Sequence, residues 1–230
     1  MTDAELNLMA EDFLGFGSWG GDICFIGPEQ GMSKDDSNLQ IRFDAWKKMG
    51  GLDLLDCKIY HHNIPEYRWH GDGNGSKIKP QSTWRKLIRT ALAFRGGLPS
   101  SLDVLNYQAN KWASSNSKDC VIELSGLPAH NQGVDRPISD DFLNERIDRI
   151  KNKLQSSNFK VVLLYGKGRK NSCDVAWLEL TRGLPKNQRG IFEICKSSTT
   201  TFVKAPHPTA SKKGNTNEAW IELGKRLRQN

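Results

Sequence analysis

The chain has 230 residues, 26% of them charged and 37% hydrophobic, with a net charge of +7 and five cysteines. That length supports a sizeable core and is most simply one domain, 1–230; no apolar run reaches a membrane span, and Met1 to Ala10 lacks the basic start and apolar centre of a signal peptide. Cys24, Cys57, Cys120, Cys173 and Cys195 are scattered, odd in number and form no C-x-x-C pair, which argues against zinc or iron–sulfur ligation and for cytoplasmic free thiols.

The first strand expected is Ile23–Gly27, a buried apolar run that ends in the turn Gly27-Pro28-Glu29-Gln30-Gly31. A weaker helix follows over Leu39–Met49, stopped by Gly50-Gly51. Tyr60–Lys79 reads as a long loop rich in His, Gly and aromatic residues, and such loops are often functional. Within it, Tyr60 and Trp69 are candidates for substrate contact, although local packing is the plainer reading. His61, His62, His70 and Asp72 match no dependable ligand spacing, so no metal or cofactor is expected. Trp84, Leu87, Ile88, Ala91 and Leu92 keep helical period behind an N-cap at Ser82 or Thr83. Cys120–Leu124 is the next strand, with Glu123 at its end. A helix starting near Ser139 or Asp140 carries Leu143, Ile147, Ile150 and Leu154. Val161–Tyr165 is a third strand, followed by Lys167 and Arg169. Thr200–Ala205 is a fourth, followed by His207, and a last helix carries Trp220, Leu223 and Leu227. Strands alternating with helices imply an α/β fold, a three-layer α/β/α sandwich with a central four-stranded parallel sheet.

Charge is unevenly spread. Residues 1–36 hold eight carboxylates against Lys34, a balance of −7, so the remainder carries +14. A basic body suits a polyanionic partner, most often nucleic acid; on charge alone, a solvated surface kept for solubility accounts for it equally well.

In a parallel sheet the four strand ends share one edge, the edge where ligands bind in open α/β folds. Glu29, Glu123, Lys167, Arg169 and His207 therefore converge. The Gly27-Pro28-Glu29-Gln30-Gly31 turn after the first strand and His207-Pro208-Thr209 after the last resemble the two motifs of the uracil-DNA glycosylase superfamily. The order of elements matches from Ile23 to Thr209. In this chain Gln30 stands where the family usually has proline, Thr209 where it has serine, and Glu123 where many members read uracil with asparagine.

The resemblance implies a monofunctional DNA glycosylase that hydrolyses the N-glycosidic bond of a flipped base and leaves an abasic site. It implies that Glu29 positions or activates water and that His207 stabilises the departing base. Gly27, Pro28, Gln30, Gly31 and Glu123 then line the base pocket. Ser211, Lys212 and Lys213, with Lys167 and Arg169, are expected on DNA phosphates. An ionised Glu123 offers only acceptors, which suit the exocyclic amine of cytosine better than the carbonyl of uracil. A small residue at Gly31 leaves room for a 5-substituent. The expected substrate is accordingly a modified cytosine, such as a glycosylated hydroxymethylcytosine of phage DNA, in an antiviral role. A uracil repair glycosylase, a non-catalytic DNA-binding protein and a nucleotide-handling enzyme are the alternatives; no G-x-G-x-x-G or P-loop supports the last. Taken as single residues, Glu29 also suits a helix N-terminus, His207 a turn, and Glu123 an ion pair. A cytoplasmic monomer with DNA as its partner and no membrane association is expected.

Overall fold

The computed structural model describes residues 2–28, 37–64, 69–71, 78–127, 139–168 and 171–229. In chain order these form α1 (Asp3–Asp12), β1 (Gly15–Gly17), β2 (Ile23–Gly27), α2 (Ser37–Lys48), β3 (Leu54–Leu55), α3 (Cys57–His62), α4 (Ser82–Phe94) and α5 (Ser101–Asn110). There follow β4 (Asp119–Glu123), α6 (Asp140–Gln155), β5 (Val161–Tyr165), α7 (Ser172–Leu180), β6 (Lys186–Arg189), β7 (Phe192–Lys196), β8 (Thr201–Ala205) and α8 (Asn217–Gln229).

The sheet has eight strands, in the order β3-β1-β4-β2-β5-β8-β7-β6, and not the four read from the sequence. The pairs β2–β4, β2–β5 and β5–β8 are parallel, so these four strands point the same way in the middle of the sheet. β1 is antiparallel to β4 and parallel to β3. On the other side β7 is antiparallel to β8 and to β6, whose four residues are all exposed.

Side-chain alternation along the middle strands builds two cores. Ile23, Phe25, Val121, Val161, Leu163 and Tyr165 face one side, where α2, α4 and α8 supply Phe43, Trp46, Leu87, Ala91, Trp220 and Leu223. Cys24, Ile26, Cys120, Ile122, Val162 and Leu164 face the other, against Leu143, Ile147 and Ile150 of α6 and Ala176 and Trp177 of α7. Helices thus cover both faces, which is why these strands lack polar alternation. α4 and α8 approach closely at Gly224, where a Cβ would lie 2.4 Å from the Thr90 carbonyl oxygen. Thr90 Oγ1 there donates to the Trp220 carbonyl at 3.0 Å, which sets the height of α8 beside the sheet.

The amino edge of the sheet is closed by charge pairing. Asp119, fully buried, accepts from Arg95 Nη2 at 2.7 Å and from Tyr107 Oη at 2.6 Å. The stretch read as a loop from Tyr60 instead begins inside α3, which Asp56 caps by accepting from the Ile59 N–H at 3.0 Å. No helix of the described residues is long and apolar enough to cross a membrane.

Candidate active site at the carboxyl edge of the sheet

The β2–β4 ladder runs past the strands. Leu124 N–H donates to the Gly27 carbonyl and Ser125 N–H to the Pro28 carbonyl, both at 2.8 Å. Pro28 is thereby fixed beside the end of β4. On its other side, a Cβ at Gly166 would meet His207 Cδ2 at 3.4 Å, Pro28 Cδ at 3.6 Å and His207 Cβ at 3.7 Å. Gly166 has φ +86°, which a glycine adopts freely and other residues do not. Pro28 and His207, separated by 179 positions of sequence, therefore flank one glycine at the end of β5.

Gly27 and Glu123 are register partners. By alternation both lie on the sheet face that carries Phe25, Val121 and Tyr165. The Tyr165 hydroxyl fills the space over Gly27, 2.3 Å from where a Cβ would stand, and the Tyr165 ring lies 5.8 Å from that of His207. Glu123 is buried, and its backbone is held from two directions. Its N–H donates to the Leu14 carbonyl at 2.9 Å, and its carbonyl accepts from Arg146 Nε at 3.0 Å and Nη2 at 2.8 Å. Arg146, itself buried, also donates to the carbonyls of Ala10 and Phe13 at 2.7 Å, which ties this strand end to the last turn of α1 and the residue after it.

His207 is half-buried, and its tautomer follows from its neighbour. The Thr209 N–H donates to Nδ1 at 3.3 Å, with Thr209 Oγ1 2.8 Å from the same nitrogen. Since Nδ1 accepts, the proton of the neutral ring sits on Nε2. Burial, and then the positive charge of Lys86, hold its pKa below the ordinary histidine value. The ring is therefore a neutral N–H donor near pH 7. Thr209 thus places both its N–H and its hydroxyl at this nitrogen.

The loop that carries His207 is bound from within. Asn215 Nδ2 donates to the carbonyls of Ala210 (2.7 Å), His207 (3.1 Å) and Pro208 (3.3 Å). Its Oδ1 accepts from Trp220 Nε1 at 2.7 Å. Lys86 Nζ, from α4, donates to the carbonyls of Pro208 and Asn215, both at 2.6 Å. Sequence reasoning missed Tyr165, Asn215 and Lys86. Only Tyr165 carried a signal, as the polar-tipped last residue of a buried strand.

The remaining expected residues divide into three groups. Lys167, Ser211, Lys212 and Lys213 are exposed and follow β5 and β8, parallel neighbours, at the same sheet edge. Glu29, Gln30, Gly31 and Arg169 lie outside the described residues. Tyr60 is a correction: it is fully buried, its ring 5.8 Å from that of Phe13 and 5.1 Å from that of Phe16, and belongs to the core rather than to a pocket. Trp69 is partly buried, its ring 4.9 Å from His61 and 5.0 Å from Trp84.

Those neighbours lead to a second polar cluster, on the same face of the sheet. Among the described residues, Cys57, His61 and His70 bring one donor atom each within 4.8 Å of one another. The reading of scattered cysteines without ligand spacing did not foresee this. Cys57 and His61 lie one helical turn apart on α3, and His70 returns from beyond it. His62 stays outside the cluster, its Nε2 2.9 Å from the Gly71 carbonyl, and Asp72 lies outside the described residues.

No protein-family model matches this sequence, and no curated protein is significantly similar to it.

Proposed function

We propose that the protein is a monofunctional DNA glycosylase that favours a modified cytosine over uracil. The reading is carried by one observation: the Gly27-Pro28 turn and His207 meet across Gly166, with His207 neutral and its proton on Nε2. Excision breaks the C1′–N bond. Positive charge builds on the sugar and negative charge on the departing base. A neutral N–H donor stabilises that anion without delivering a full proton to it, an electrostatic role that a prepositioned group performs well. Glu29, one residue beyond Pro28, takes the proton of the water whose oxygen bonds to C1′; the base leaves as an anion, takes a proton from solvent on release, and Glu29 gives its own proton back to solvent.

Specificity rests on Glu123, the register partner of Gly27. A carboxylate accepts from the exocyclic amine of cytosine and opposes the carbonyl of uracil. Ordinary cytosine is spared when contacts to the 5-substituent contribute the rest of the binding energy. Lys167, Ser211, Lys212 and Lys213 hold the DNA backbone on the same edge, and Arg169, two positions after Lys167 in the sequence, is a further candidate for a phosphate contact.

The test compares base release from identical duplexes carrying uracil, cytosine, 5-hydroxymethylcytosine or its glucosylated form. Release of a 5-substituted cytosine is expected, with the preference moving toward uracil in Glu123→Asn. Efficient release of uracil and of no cytosine derivative returns the protein to uracil repair. DNA binding without release of any base leaves a non-catalytic binder.

A further inference from the structure

The Cys57–His61–His70 cluster plays no part in base excision as proposed above, yet it is among the most deeply buried polar groups of the chain. Cys57 is 0% exposed, His61 2% and His70 3%. Phe16, Trp69 and Trp84 surround the two rings, at centroid distances of 4.9 to 5.6 Å. Polar groups in such a setting are costly unless something satisfies them.

Two features suit a metal. Cys57 Sγ lies 3.6 Å from His70 Nε2. A tetrahedral ion with a sulfur ligand at about 2.3 Å and a nitrogen ligand at about 2.0–2.1 Å separates the two donors by about 3.5 Å. Next, His61 Nδ1–H donates to the Cys57 carbonyl at 2.7 Å, which places the ring's lone pair on Nε2. A backbone carbonyl on the other nitrogen is the usual outer partner of a metal-bound imidazole.

We propose that Cys57, His61 and His70 form a zinc site that clamps α3 to the segment 69–71. The donor set of one thiolate and two imidazoles selects zinc among abundant divalent ions, and excludes calcium and magnesium, which take oxygen ligands. On binding, the Cys57 thiol gives up its proton to solvent and a zinc–sulfur bond forms. The site closes the chain over the stretch between His62 and Trp69, so zinc is expected to raise the melting temperature. This inference does not rest on the glycosylase reading, and its readouts do not involve base release.

The test uses the full chain. Elemental analysis of the purified protein should find a single zinc per chain. X-ray absorption at the zinc edge should show one sulfur and the remaining scatterers as nitrogen or oxygen. After removal of zinc by a chelator, cobalt(II) titration should produce a sulfur-to-metal charge-transfer band with intense tetrahedral visible bands. Cys57→Ser should abolish the charge-transfer band. His70→Gln should weaken cobalt binding by more than ~10²-fold, since loss of an outer partner alone costs about 10–100-fold. Absence of zinc, with no cobalt spectrum and no thermal shift on adding zinc to the apo-protein, overturns the proposal. So does a zinc shell with no sulfur or with more than one. If either variant fails to fold, the absorption measurement on the unaltered chain decides alone.

Discussion

Two histidines of this protein, the half-buried His207 and the fully buried His61, are driven to the same charge and to opposite hydrogen-bonding polarity. Burial is the leading cause that lowers both pKa values. At His207 the main chain donates, Thr209 N–H to Nδ1, so the ring presents an N–H on Nε2. At His61 the main chain accepts, Cys57 carbonyl from Nδ1–H, so the ring presents a lone pair on Nε2. One ring offers a donor at Nε2 and the other an acceptor. The protonation state comes from desolvation, but the usable polarity comes from a single backbone hydrogen bond.

The strongest way to break this contrast is to remove the donor. His207→Ala is expected to lower single-turnover base release by at least ~10²-fold with DNA affinity nearly unchanged, as for loss of other charge-stabilising donors. Glu29→Gln should lower it comparably, as loss of a general base does. Near-normal rates in both variants would remove this edge of the sheet from the chemistry.

A smaller effect is expected from the scaffold behind the donor. Asn215→Ala withdraws the amide from the carbonyls of His207, Pro208 and Ala210 and leaves Trp220 Nε1 without its acceptor. Equilibrium urea unfolding should report a loss of about 1–3 kcal/mol, the cost of leaving buried polar groups unpaired. Base release should fall with it, because the ring loses its position. A stable Asn215→Ala protein with full activity would show that the loop holds His207 by other means.

Titration sharpens the contrast further. The His207 ring resonances should move with a midpoint below the ordinary value of about 6.5. Lys86→Met removes the second cause of that depression and should raise the midpoint. The sign for stability follows. Above about pH 6.5 His207 is neutral in both folded and unfolded chains and its titration costs nothing. As pH falls from there to the depressed folded value, the unfolded chain binds the proton first and stability declines. A midpoint at or above the ordinary value in the unaltered protein would contradict the neutral-donor assignment.

The mildest prediction concerns the backbone of the partner. Replacing Lys212 and Lys213 together by alanine should reduce the slope of log affinity against log salt by about two, roughly one for each phosphate that goes unneutralised. An unchanged slope would route DNA away from the loop after His207.

Elements with strong internal pattern were legible in the sequence. β2 and β5 occupy the expected residues, because continuous apolar runs leave little choice, and β4 and β8 differ from expectation only at their ends. The strands that widen the sheet were not legible. β1 is Gly-Phe-Gly, β3 is two residues, and β6 is Lys-Asn-Gln-Arg without an apolar residue. Their pairing is dictated by neighbours, as is common for edge strands. α1 and α5 escaped notice although each begins with a capping box, at Thr2 and Ser100. Tyr60 shows the reverse error: composition suggests a loop, whereas Asp56 starts a helix that turns the ring into the core. The pairing of Cys57 with His61 was visible as a four-residue spacing, but the return of His70 is tertiary and no local pattern encodes it.

The exposed strand β6 has a consequence for the protein at high concentration. It ends the sheet with Lys186, Asn187, Gln188 and Arg189, and among the described residues the backbone has no further strand to pair with beyond it. An open edge of this kind is a template for strand addition by a second molecule, and cationic side chains along it oppose such addition. The opposite edge is guarded differently, by β3 being only two residues long. Exchanging Lys186 and Arg189 for valine and threonine would remove that opposition and make the edge adhesive, with the loss inside of one contact, Lys186 Nζ over the Trp177 ring at 5.8 Å.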